Sequence, residues 1–174
     1  MEQVELTMTT QVPVSTQEAW AWSTSLKGVR AEMQPLLKIV FPKGMNEIGA
    51  NTMLGKPLGR CQFLLFGLFP VDMSKLTFTE IVPGRRFVEQ SPLLSMRAWR
   101  HERVVTPAGD GRGACVTDRL AFSPRFATPL VRAMVKLLFE HRHKVLARAL
   151  GGQQVAPGRA GIAPEKARRD RSAW

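Results

Sequence analysis

Apolar and polar residues alternate from Val4 to Val12: Val4, Leu6, Met8, Thr10 and Val12 share one parity, Glu5, Thr7, Thr9 and Gln11 the other. Period two marks a strand with one buried face, so the chain is expected to open on a β-strand. Ser15-Thr16-Gln17-Glu18 follows. A hydroxyl N-cap with glutamate three positions on predicts a capping box and a short helix through Trp22, with Gly28 as its stop. A second short helix is predicted from Val29 to about Met33, because Pro35 biases its predecessor away from the helical region, and Lys38 to Pro42 then reads as extended. Residues 44–59 hold four glycines and Pro57 and read as loop with a weak edge strand.

Five strands are predicted next: Cys61 to Phe69, Met73 to Val82, Arg85 to Gln90, Met96 to Thr106 and Gly113 to Ser123. Pro70-Val71-Asp72, Pro83-Gly84, Ser91-Pro92 and Pro107 to Gly111 separate them with turn chemistry. No separator is long enough for the crossover that parallel pairing requires, so the strands should form an antiparallel meander. The last element, Thr128 to Leu150, places Leu130, Met134, Leu138, His141, Val145 and Ala149 on one stripe and Arg132, Lys136, Glu140, Lys144 and Arg148 on the opposite one. That is a long amphipathic helix. The fold class is therefore α+β, a curved antiparallel sheet of about six to seven strands around a long C-terminal helix. After Gly151-Gly152 the sequence turns to Gly, Pro, Ala and Arg without periodicity, so residues 1–150 are expected to form the domain and 151–174 a disordered basic tail.

Composition narrows the class. A chain of 174 residues with 44% hydrophobic content suits one domain with a substantial core. Phe63 to Phe69, the longest dense apolar run, is far too short to span a bilayer. The N-terminus carries acids where a secretory signal needs bases, and a cytoplasmic protein is expected. Cys61 and Cys115 fall on separate predicted strands and are expected as buried thiols. Net charge is +11, but residues 1–95 hold nine bases and eight acids, whereas 96–150 hold eleven and four. Much of that excess fits the solvated faces of strands and helix. Charge of this kind permits transient contact with an acidic membrane surface and gives little support to nucleic-acid readout.

The order strand, two short helices, strand meander and long final helix is accompanied by four segments, Phe87-Val88-Glu89-Gln90-Ser91-Pro92, Trp99-Arg100-His101-Glu102-Arg103, Val116-Thr117-Asp118-Arg119-Leu120 and Pro124-Arg125. Together they resemble the START-like (SRPBCC) superfamily of polyketide cyclase/dehydrase and lipid-transport-like proteins, in particular a bacterial branch with a Trp-x-His-Glu strand. The resemblance covers about residues 1–150. Ser91 stands where that branch commonly has Gly, and Arg103 where it commonly has a second His. A helix-grip fold with a cavity between sheet and long helix, used in relatives for sterols, lipids, polyketides or hormones, is what the resemblance implies. Some members are enzymes and many are not, so chemistry has to come from the residues.

On strand parity Trp99, His101, Arg103 and Val105 share a face, as do Phe87 with Glu89, and Val116 with Asp118, Leu120 and Phe122. The large apolar members choose the inner side, so Glu89, His101, Arg103 and Asp118 are expected in or beside the cavity. There they form either a functional cluster or a self-satisfied network that anchors the sheet. His141, on the apolar stripe, would face them from the helix, whereas His143 on its flank is expected in solvent. With Phe78, Phe87, Trp99, Leu120 and Leu138 as walls, these residues make the predicted ligand site. Histidines this scattered give no metal site, no glycine-rich loop cradles a nucleotide, and no serine or cysteine sits as a nucleophile. Neither cofactor nor metal is predicted.

Three function classes follow. The first is a carrier or sensor that binds a hydrophobic, lipid-like or polyketide-like small molecule. The second is a cyclase, dehydratase or isomerase with His101 or Asp118 as general base and Arg103 stabilising an oxyanion. The third is a membrane- or RNA-associated basic protein.

Overall fold

The structure is a computed structural model that describes residues 3–42, 45, 48, 52–109 and 111–155. The chain runs β1 (Val4–Val12), α1 (Thr16–Thr24), α2 (Leu26–Met33), β2 (Leu37–Val40), β3 (Gly59–Leu65), β4 (Phe69–Leu76), β5 (Phe78–Val82), β6 (Arg86–Glu89), β7 (Met96–Pro107), β8 (Ala114–Pro124), α3 (Thr128–Leu150) and β9 (Gln153–Val155). Strands pair in the order β5-β6-β7-β8-β1-β9 in a six-stranded sheet and β2-β3-β4 in a smaller one. All pairings are antiparallel. α3 packs across β1 and β8 and against α2, which is the α+β arrangement the element order implies.

The predicted start is present in detail. Ser15 Oγ accepts from Glu18 N at 3.2 Å, and Glu18 Oε2 accepts from Ser15 N at 3.0 Å, the reciprocal pairs of a capping box. Gly28 does not end that helix. Ser25 closes α1 and caps α2, its Oγ accepting from Gly28 N at 2.9 Å. Gly28 lies inside α2 because a Cβ there would stand 2.1 Å from Trp22 O, a close approach that only glycine allows.

Three further expectations are corrected. The stretch Met73 to Val82 is not one strand. β4 belongs to the small sheet and β5 to the large one, and the chain changes sheet at Thr77, whose N–H donates to Ser91 Oγ at 3.1 Å. Alternation continues through the switch, so period alone does not reveal it. The tail joins the domain for three residues: Gly151, in the left-handed region at φ 70°, caps α3 and turns the chain, and Gln153–Val155 then pair with Thr9–Gln11. The domain thus extends beyond Leu150, and 156–174 lie outside the described residues.

The third correction concerns α3. Its bounds match the predicted helix, but its buried residues are Val135, Phe139, Arg142, His143, Leu146 and Ala147, while Leu130 and Met134 are exposed. The helix carries apolar residues on two faces, and the sheet takes the one with Phe139 and Leu146. Leu146 packs with Val12, Val105 and Val116, and Phe139 with Leu120 and Phe122. A third cluster joins α2, through Val29 and Met33, to both sheets, at Ile39 and Cys61 on the small one and Phe78 and Phe87 on the large one. Among the described residues no helix is long and apolar enough to cross a membrane.

Candidate functional site

Between the third cluster and α3 lies a cavity of about 180 Å³. Its walls are Val29 and Met33 of α2, Leu37 and Ile39 of β2, Cys61 and Phe63 of β3, Phe78 of β5, Phe87 and Glu89 of β6, Trp99 and His101 of β7, and Val135, Leu138, Phe139 and Arg142 of α3. Glu89, His101 and Arg142 group near Phe139: the imidazole stands edge-on between Phe87 and Phe139, with centroids 5.5 and 5.2 Å away, and the Arg142 guanidinium lies 4.6 Å over the Phe139 ring. The remaining charged lining group, Asp72, is bound by Met73 N, Leu94 N and Ser95.

Register sets the polar end. Glu89 pairs with His101 across β6–β7, and Arg103 with Asp118 across β7–β8. Two residues apart, His101 and Arg103 share the inner face, so the four predicted residues do converge. Asp118 Oδ1 accepts from His101 Nε2 at 3.0 Å and Arg103 Nε at 2.7 Å; Oδ2 accepts from Arg103 Nη2 at 2.7 Å and His143 Nε2 at 3.1 Å. Arg103 also donates Nη1 and Nη2 to Glu32 at 3.0 and 2.9 Å, and Arg142 donates Nε and Nη2 to the same carboxylate at 3.2 and 3.0 Å. Trp22 Nε1 donates to Glu32 Oε1 at 3.0 Å. Two carboxylates and two guanidiniums thus balance inside the protein, as buried charges must.

Burial alone would raise the Glu32 carboxyl, but the Arg103 and Arg142 charges outweigh it and hold the group below its usual range. The same contest at Asp118, with Arg103 as chief counter-charge and His101 adding to it, leaves the carboxyl well below the ordinary value. Arg103 is pushed upward: Asp118 and Glu32 more than offset its desolvation. Cys61, in the cavity wall, has its thiol raised to about 12 by burial and the nearby Glu89 charge, so it stays protonated and unreactive.

These contacts revise the predicted roles. Asp118 has both lone-pair positions of each oxygen occupied and lies behind the cavity wall, out of contact with a molecule in the cavity. Arg103 spends four of its five N–H groups on Glu32 and Asp118 and is held behind the cavity wall by them. Phe78, Phe87, Glu89, Trp99, His101 and Leu138 line the cavity; Arg103 and Asp118 stand behind it, and Leu120 packs with Phe122 instead. His141 does not face the cluster, since its Nε2 meets Gln34 O at 2.6 Å. His143, expected in solvent, is fully buried, with Nδ1 2.7 Å from Thr10 Oγ1. Its two ring nitrogens thereby bridge Asp118 of β8 and Thr10 of β1.

Glu32, Arg142, His143, Thr10 and Trp22 escaped sequence reasoning. Thr10 carried a usable signal, its place on the inner parity of β1. Glu32 and Arg142 carried none, because each reads locally as the polar side of a helix.

His101 has one further property. With Nε2–H given to Asp118, its Nδ1 is directed at the cavity, 3.6 Å from Glu89 Oε2, while Ser91 Oγ donates to Glu89 Oε1 at 2.6 Å. An imidazole held from behind by one carboxylate, with a second beside its cavity-facing nitrogen, is arranged as a proton-exchange group would be.

Comparison with known proteins places this geometry. A family model described as Domain of unknown function (DUF8410) matches residues 10–150. No curated protein matches the sequence. Among solved structures, protein CV1439 from Chromobacterium violaceum superposes with a TM-score of 0.62 at 14% identity, over 86% of this chain and 98% of its own. A START superfamily protein from Mycobacterium smegmatis gives 0.56 at 10% identity, over 86% and 97%. The Zhui aromatase/cyclase from Streptomyces sp. R1128 gives 0.58 at 10% identity, over 86% and 93%. The fold is START-like, and at such identities the likeness is one of fold alone.

Proposed function

We propose that this chain, which belongs to the family described as Domain of unknown function (DUF8410), binds an apolar small molecule of lipid-like or polyketide-like character in the cavity between its sheets and α3. The observation that carries this reading is the cavity itself: an apolar chamber of about 180 Å³ with Glu89, His101 and Arg142 gathered at one end. Chambers on the order of 150 Å³ with such walls stay dry and accept a benzene-sized guest, so the favoured occupant is one or two fused rings, or an acyl segment of like volume. A few polar groups at one end of an apolar chamber fix orientation while burial supplies affinity. A fold neighbour named as an aromatase/cyclase and another named as a START superfamily protein agree with a chamber for such molecules.

Titration with a fluorescent naphthalene-type probe tests the reading. One probe should bind per chain, and Leu138→Trp, which fills the chamber from α3, should abolish binding while the thermal unfolding midpoint stays within a few degrees. Undiminished binding by the filled variant would place the probe elsewhere and overturn the proposal.

A second reading rests on the orientation of His101. If the bound molecule reacts, His101 is the group that exchanges the proton, with Glu89 beside it, and neither Asp118 nor Arg103 takes that part. His101→Ala would then reduce turnover of an enolisable aromatic ketone by about 100-fold or more with binding nearly unchanged. A carrier would instead lose about 1–3 kcal/mol of affinity for hydrogen-bonding ligands and little for purely apolar ones.

A further inference from the structure

The fold holds a second group of large apolar side chains that no core or cavity uses. At the turn between β3 and β4, Phe66, Leu68 and Phe69 are 59, 74 and 62% exposed. Phe66 and Gly67 both have positive φ, 51° and 74°. Such a tight hairpin turn is rigid, and a bulky aromatic in the left-handed region is tolerated only where the surroundings hold it there. On α3, Leu130, Met134 and Leu137 recur at helical spacing on the face turned away from the sheet, with Phe126 exposed just before them.

The two features adjoin. Leu36 O accepts from Phe66 N at 3.0 Å, and Gln34 O is bound by His141 Nε2 at 2.6 Å; His141 lies one turn beyond Leu137 on the same stripe. Residues 34–36 therefore tie the hairpin turn to the outer face of α3. Val71, two residues past Phe69 and itself exposed, lines the cavity together with Leu138. The apolar surface thus reaches the wall of the chamber at Val71.

We propose that this surface docks on an anionic lipid bilayer, the β3–β4 turn and the outer stripe of α3 entering the interface. Basic side chains frame it. The Lys38 stem runs along the turn, its Cδ 3.7 Å from where a Cβ on Gly67 would be, Arg125 is exposed beside Phe126, and Lys144 and Arg148, seven positions on from Leu137 and His141, lie exposed on the same outer face of α3. Apolar side chains in the acyl boundary and lysine or arginine among acidic headgroups are the two attractions of an interfacial protein. A second copy of the chain would bring two bodies of net charge +11 together on their basic side. Residues 156–174 carry five bases and two acids, the same sign of charge as this rim. The inference stands apart from what the chamber binds.

Flotation of the full chain with vesicles of phosphatidylcholine, with and without phosphatidylglycerol, is the test. The protein should float with the anionic vesicles and far less with the neutral ones. Leu68→Ser/Phe69→Ser, and separately Leu130→Ser/Met134→Ser, should each weaken partition by about tenfold at an unchanged thermal midpoint, because these side chains are exposed. Failure to float with anionic vesicles at low salt would overturn the proposal. So would flotation that both variants retain in full, which would leave charge as the sole attraction. Sedimentation velocity showing a dimer that the same variants dissolve would assign the surface to a second copy instead.

Discussion

Asp118→Asn is the substitution that most directly probes the buried network. It preserves side-chain volume and removes one charge from a set in which Glu32 and Asp118 balance Arg103 and Arg142, groups between 0 and 3% exposed. It also turns an acceptor into a donor: whichever way the amide lies, its NH2 faces an Arg103 N–H and a histidine Nε2–H. Breaking a buried ion pair by removing one partner costs about 3–5 kcal/mol, a large fraction of the roughly 5–15 kcal/mol that holds a domain folded. With a urea slope of about 2 kcal/mol per molar, the unfolding midpoint should fall by about 1.5–2.5 M at unchanged slope. Glu80→Gln is the control, because the Glu80–Arg86 pair is about two-fifths exposed on both sides, and such a surface pair is worth about 1 kcal/mol or less. The wild-type advantage should also depend on pH. A carboxyl held below its unfolded value stabilises fully above that value and loses the contribution as pH falls through the folded one. The difference between wild type and Asp118→Asn should therefore be constant near neutrality and shrink below about pH 4. Equal costs at Asp118 and Glu80, or a difference that persists undiminished into acid, would refute the claim that this network is desolvated and ionised.

Other outcomes follow from the same structure. Phe139→Ala should cost about 3–5 kcal/mol, whereas Lys136→Ala and Met134→Ala should each change stability by less than about 0.5 kcal/mol; a costly Met134→Ala in urea unfolding would mean α3 is rotated from the orientation described. Ser15→Ala removes the α1 cap and should cost about 1 kcal/mol, read from the same curves. Ending the chain at Val155 should leave the thermal midpoint nearly unchanged, while ending it at Gly151 removes β9 and should lower the midpoint by about 2–4 °C for each kcal/mol lost; equal midpoints would show that the β1–β9 pairing adds nothing.

Much of the molecule is written locally. The alternation of Val4 to Val12, the Ser15–Glu18 box and the span of α3 follow from short-range spacing, because strand period, cap geometry and helical period involve residues within a few positions of one another. Inner-face parity brought Glu89, His101, Arg103 and Asp118 to one place, since antiparallel neighbours keep a shared parity across each rung. Tertiary structure alone decided the rest. Periodicity shows that α3 has apolar faces but not which one the sheet accepts. That choice buries Arg142 and His143, turns His141 onto Gln34 and leaves Leu130 and Met134 outside. Glu32 enters the network from α2 because α1 packs over β7 while α2 packs against α3, and its bond to Arg103 spans more than seventy residues of sequence that no local pattern encodes. Once it is there, Arg103 is bound from both sides by Glu32 and Asp118, and His101 is left as the imidazole that faces the chamber.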